Sequence, residues 1–377
     1  MEYIIGILIL VSFFGLAFYA AKGGNLMMGM LVMAILWTVL PMIGNTFPTN
    51  PAFVAANAEN VGITWIQAFS KVFQSGPEGW GTVLVNVVFG AWFGRVLLET
   101  GIASTLIRKT TELGGDKPAV TCILLCIVTT AIFSSLFGAG AVVAIGVIIL
   151  PILMSLGIPK VLSVVSFMLS IGAGMFLNPV LFGQYTAFFL DAEGRTTYPY
   201  EEYVRWGGIA LAVQLIFTIC LVLFCMRKKK TVHSWAARRP IRQKMDFAPG
   251  KSLLTPFIPV FLLIVFKVPI IMGFLIGGFY ALFVCGKLKN FRTACRTFNK
   301  DFFDGVVDTA PLVGFLLMVP MFNKAAELCI PYFNALLGNV IPHNTLFITI
   351  IFVLWHRSGC FADRLPYTDA ARPRWGF

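Results

Sequence analysis

Ser134, Ser135, Gly138 and Gly140 stand close together between two apolar runs. Their chemistry is hydrogen bonding, not bond making. Two hydroxyls and a glycine-bared backbone can meet a carboxylate, and the apolar helix expected from Ala141 would add the positive end of its dipole. Further on, Asn178 precedes Pro179, whose ring removes an N–H and frees a carbonyl in the turn before it. With Gln184, that break offers a second wall for an anion or a set of oxygens for a cation; a plain helix stop is the equal alternative. Pro179, through those carbonyls, and Asp308 are the candidates for a coupling cation. Asp304 and Asp308 otherwise suit an interface, with Asp308 as a proton relay. Asn86 reads as a hydrogen bond between helices.

Nothing comparable points to catalysis. No His/Cys/Asp/Glu cluster has metal-ligand spacing, and neither a P-loop nor a serine-nucleophile motif occurs. His233, His343 and His356 all lie outside apolar spans or at their ends. Cys122 and Cys126 are one helical turn apart, which suits packing better than ligation. The expectation is a protein that is not an enzyme and holds no cofactor beyond a coupling proton or sodium ion.

The elements that must position these residues are membrane helices. The 377 residues are 58% hydrophobic and 12% charged, against ~25% charged in ordinary soluble domains. From Thr130 to Pro159 an apolar run, a small-residue break and a second apolar run follow one another. Each arm is shorter than a relaxed span of ~20 residues, so the segment 120–154 reads as a broken or re-entrant hairpin. Hydrocarbon tolerates broken helix only where protein or a watery cavity satisfies the backbone, and transporters place solute and ion sites at such breaks. A long helix with a glycine-packed interface is the competing reading.

Around the hairpin the chain reads as follows. Spans are expected at Tyr3–Ala20, Leu26–Ile43, Gly81–Leu98 and Gly207–Met226, with a broken span from Val161 through Asn178-Pro179 to Leu190. Thr64–Gln74 and Ile102–Leu113 are amphipathic and suit the interface. Met1-Glu2-Tyr3 lacks a basic n-region, so the first span is expected to stay uncleaved. Nine of the 29 Lys/Arg fall between Arg227 and Lys251, beside one acid, Asp246. Position makes this a cytoplasmic loop rather than a nucleic-acid site.

After the basic loop the pattern restarts. Leu253–Phe266 and Ile270–Cys285 resemble the first two spans, Phe291–Phe303 resembles Thr64–Gln74, and Val306–Phe322 resembles the third span. Trp92 to Glu99 parallels Met321 to Glu327, each with a cation shortly before an acid on one helix face; a helix-end ion pair that fixes depth is the plainer role. Lys287, Lys289, Arg292, Arg296 and Lys300 put the second-half loop inside, whereas its first-half equivalent, Gly44 to Trp80, carries only Lys71 and falls outside. Equivalent loops on opposite sides mean an inverted repeat with the N-terminus outside. The organisation is thus a first repeat over 1–226, the basic loop 227–252, a partial second repeat over 253–354 and an aberrant polar tail, 355–377. That tail has four arginines and no apolar run where a second hairpin is expected. Read one frame over with permitted codons, Trp355 to Thr368 becomes apolar and Gly/Pro-broken, which suggests a truncated or frame-shifted product; an ordinary polar tail is the alternative.

Three features together resemble the ion transporter superfamily of citrate, gluconate, lactate and C4-dicarboxylate permeases and some sodium/proton antiporters. They are Phe93 to Gly101 followed by an amphipathic helix, Phe137-Gly138-Ala139-Gly140 with Ile149-Leu150-Pro151 and Leu156 to Pro159, and the repeat itself. The resemblance implies hairpins entering from both sides and a solute site between them, moved by alternating access. Cation-coupled transport of a small organic anion is the leading expectation; a sodium/proton antiporter and a non-functional truncated transporter are alternatives. The serine-asparagine-threonine sodium motif of the dicarboxylate branch is absent, and Ser134-Ser135 is only a partial echo of it. The expected setting is a cell membrane, multi-pass, with lipid and organic anion as partners, no nucleic acid, and a homodimer left open.

Overall fold

The computed structural model describes residues 2–47, 62–115, 117–186, 198–227, 248–288 and 290–338, with positions 53, 57, 60 and 189. The interior of the basic loop, residues 190–197, the end of the partial second repeat from 339 to 354 and the tail 355–377 lie outside these residues. Every regular element described is helical. Five helical runs are long and apolar enough to cross a membrane: Glu2–Ala21, Leu26–Thr46, Trp65–Glu99, Tyr200–Arg227 and Phe291–Leu337. Among the described residues the chain is all-α, and its long apolar helices fit a membrane protein.

It divides into two compact units, 1–72 with 322–377, and 73–321. In the first, α1 (Glu2–Ala21) and α2 (Leu26–Thr46) are joined by a tight turn in which Asn25 Oδ1 accepts from Met28 N. α3 (Trp65–Phe73) is amphipathic as expected. Trp37 Nε1 donates to Ser12 Oγ (2.8 Å), tying α2 to α1. The Tyr332 hydroxyl is shared between Asn45 Oδ1 (2.8 Å) and Pro41 O (3.1 Å). Only 17% of the most apolar window of α1 is buried, so its greasy face is left for lipid.

The second unit holds α4 (Ser75–Gly79), α5 (Gly81–Glu99), α6 (Ile102–Gly114), α7 (Pro118–Phe133), α8 (Ala139–Ser155), α9 (Lys160–Met175), α10 (Pro179–Thr186) and α11 (Tyr200–Arg227). A 3-10 segment, Gly250–Phe257, then leads into α12 (Ile258–Phe266), α13 (Ile270–Val284) and the start of α14 (Phe291–Leu337). Trp92, Phe93, Val96 and Leu97 of α5 are wholly buried. Phe93 and Trp92 press on Gly277 and Gly278 of α13, where the missing side chains let the helices close. α7 and α9 pack along small polar residues: Cys122 and Cys126 face Ser166, and Thr130 Oγ1 donates to Ser170 O at 3.0 Å. The cysteine pair is packing, as its spacing suggested.

Two expected elements differ. Leu253–Phe266 is not one α-helix, because the hydroxyls of Ser252 and Thr255 bond back to Pro249 O and Ser252 O and hold a 3-10 start. The amphipathic stretch Phe291–Phe303 and the span Val306–Phe322 are one continuous helix running on to Leu337. At ~1.5 Å per residue these 47 residues reach ~70 Å, more than twice the ~30 Å of hydrocarbon, so only part of α14 can lie in it. The first half breaks after Glu99 because Gly101 takes φ 73°. Cys329 occupies the matching place after Glu327, and the helix continues there.

Candidate functional site

The hairpin is broken where the small residues stand. α7 ends at Phe133, α8 begins at Ala139, and residues 134–138 between them are non-helical and buried. Gly138 makes the turn possible: its φ of 110° with ψ 149° is a conformation that side-chain-bearing residues avoid. The second break lies between α9 and α10, which bend by 61° at Phe176–Asn178. Pro179, at the first position of α10, needs no N–H partner there.

The two breaks are fastened to each other by Asn178, which is wholly buried. Its Nδ2 donates to Phe133 O (2.9 Å) and Leu136 O (3.0 Å), and its Oδ1 accepts from Val180 N at 3.0 Å. Carbonyls orphaned by the first break are therefore satisfied by the residue that makes the second. The Tyr203 hydroxyl of α11 sits 3.1 Å from Asn178 O and closes the far side. Asn86 of α5 packs against α10 at Gly183.

Both serines are turned to protein carbonyls. Ser134 Oγ donates to Ala131 O (2.8 Å), and Ser135 Oγ donates to Pro256 O in the 3-10 segment. Their proton is thus engaged, while each oxygen keeps lone pairs. Gln184 on α10 has a buried Nε2 without a partner among the described residues.

Asp308 joins this site from α14. A side chain at Gly140 would collide with its carboxylate, so the carboxylate lies against the first turn of α8, where free N–H groups favour negative charge. Thr309, also buried, abuts Gly138. Asp308 is paired with Arg95 of α5: Nη2 donates to Oδ1 at 3.2 Å, and Nε comes within 2.7 Å of Oδ2 as a close ion contact without a directed hydrogen bond. Arg95 reaches Glu99 only at 3.8 Å, and Glu99 pairs with Lys300 at 3.2 Å. Arg95 is thus chiefly a partner across helices, whereas Lys324 and Glu327 keep the expected pair within one helix at 2.8 Å.

Ser134, Ser135, Gly138, Gly140, Asn178, Pro179, Gln184 and Asp308 therefore fall on the two breaks or the helices against them. Sequence reasoning missed Asp301, the buried acid of α14, and the link from Arg95 to Asp308. The spacing Asp301, Asp304, Asp308 places three acids along one helix face and could have drawn attention to that face. A cavity of about 510 Å³ is lined by Tyr200, Glu201 and Lys267, and one of about 310 Å³, lined by Phe176, Tyr185, Tyr203 and Trp206, borders the second break. Among the described residues no group of three His, Cys, Asp or Glu could hold a metal ion. Comparison with protein-family models, curated proteins and solved structures gave no match.

Proposed function

We propose that the chain is a secondary transporter of a small organic anion, driven by a proton or sodium gradient and working by alternating access. The observation that carries this reading is the fastening of two interrupted helices through one buried amide. Such breaks are costly in hydrocarbon and recur where a solute or ion is held. The N–H groups at the N-terminal turn of α8, beside the small-residue break 134–138, favour an anion such as citrate, gluconate, lactate or a C4-dicarboxylate.

The inverted repeat and an external N-terminus belong to the same proposal. In that orientation Glu201 and Lys267 both fall outside, and they pair at 2.7 Å. That hydrogen bond raises the Lys267 ammonium above its usual range, though both groups are so exposed that the pair adds little stability. Glu99 and Lys300 both fall inside and pair, as do Thr105 and Ala248, joined by a 3.0 Å hydrogen bond.

Uptake of the four labelled carboxylates by proteoliposomes, with pH and sodium gradients imposed separately, tests this reading. Uptake of at least one, abolished when the gradient is collapsed, is expected; no uptake of any under either gradient would overturn it. A sodium/proton antiporter is the second reading, favoured by a buried acid on α14. It predicts sodium flux against a pH gradient without any carboxylate.

A further inference from the structure

Asp301 is 1% exposed, and neither carboxylate oxygen has a hydrogen-bond partner among the described residues. Its face of α14 is pressed against α5. Phe298 meets Trp92 and Phe302 meets Phe89 ring to ring, and Gly305 abuts the Trp92 backbone. The charges that act on it are Glu99 and Arg95 from α5, and Lys300 and Asp304 from its own helix. Both cations are already engaged, Arg95 by Asp308 and Lys300 by Glu99. Two positive charges meet two negative ones, and Asp301 is left over beside an already acidic neighbour, Asp304. A bare carboxylate buried without donor or countercharge is severely penalised, and the cheapest remedy is a proton.

We propose that Asp301 is a proton-carrying carboxyl, protonated while the α5–α14 charge cluster is closed. When the cluster opens, the O–H bond breaks, the proton passes to water, and Asp301 becomes ionised. Glu99 and Asp308 each face a cation, Lys300 and Arg95 respectively, which Asp301 does not. Only the use of this proton for coupling rests on the transport reading; the protonation does not.

Infrared difference spectra of the full chain in liposomes, stepped from mildly acidic to alkaline pH, test this without any transport. The wild type should lose a protonated-carboxyl band. Asp301→Asn should lack that band and Asp308→Asn should keep it. An Asp301→Asn spectrum identical to wild type would overturn the proposal. If Asp301→Asn does not fold, Asp301→Glu serves instead: a band shifted in frequency supports the assignment, and an unshifted band overturns it. A band without carboxylate uptake would leave the proton site standing and sink only the organic-anion reading.

Discussion

Asn178 fastens both breaks through three hydrogen bonds of one side chain. Its orientation is set by its partners, since two carbonyls need its N–H₂ and one N–H needs its oxygen. Replacing it with Ala leaves the buried carbonyls of Phe133 and Leu136 without a donor, at about 1–3 kcal/mol each. Asn178→Asp keeps the acceptor but turns a carboxylate on two carbonyls. Both variants should unfold at clearly lower temperature in detergent, Asp at least as severely as Ala. An Asp variant as stable as the wild type would show that the donor is not what holds the breaks together.

At the scale of elements, the hairpin depends on a turn that only glycine makes easily. Gly138 combines positive φ with a neighbour, Thr309 Cγ2, 3.1 Å from where a Cβ would sit. Gly138→Ala should cost about 1–3 kcal/mol through backbone strain, with crowding in addition. Gly208, inside α11, is the control: its added Cβ meets nothing within 4 Å. Gly208→Ala should be neutral or stabilise by about 0.5–1 kcal/mol, because alanine suits a helix interior better. Equal thermal shifts for the two variants in detergent would contradict the strain. The interruption between α9 and α10 has a different origin, with Pro179 ending one helix and starting the next.

For the whole molecule, the proposed orientation rests on charge. Lys267 and Lys109 are both exposed and are assigned to opposite sides. In a cysteine-free background, Lys267→Cys should react with an impermeant thiol reagent in intact cells, and Lys109→Cys only after permeabilisation. The reverse pattern would invert the orientation, and labelling of both in intact cells would break the proposed path through the membrane.

The class of fold was readable in the chain alone. Apolar length and scarce charge dictate membrane helices, and glycine, serine and proline announce the two interruptions around 134–140 and 178–179, because these residues act through local backbone geometry. The fusion of Phe291–Leu337 into one helix was less legible, since nothing local separates a surface helix from a span that simply continues it. What touches what was decided by tertiary packing. Asn178 bonds carbonyls more than 40 positions earlier, and Arg95 finds Asp308 at a separation of 213. The loneliness of Asp301 is likewise a property of its surroundings: an aspartate becomes unusual only when burial removes its water and its neighbours have already spent their charge.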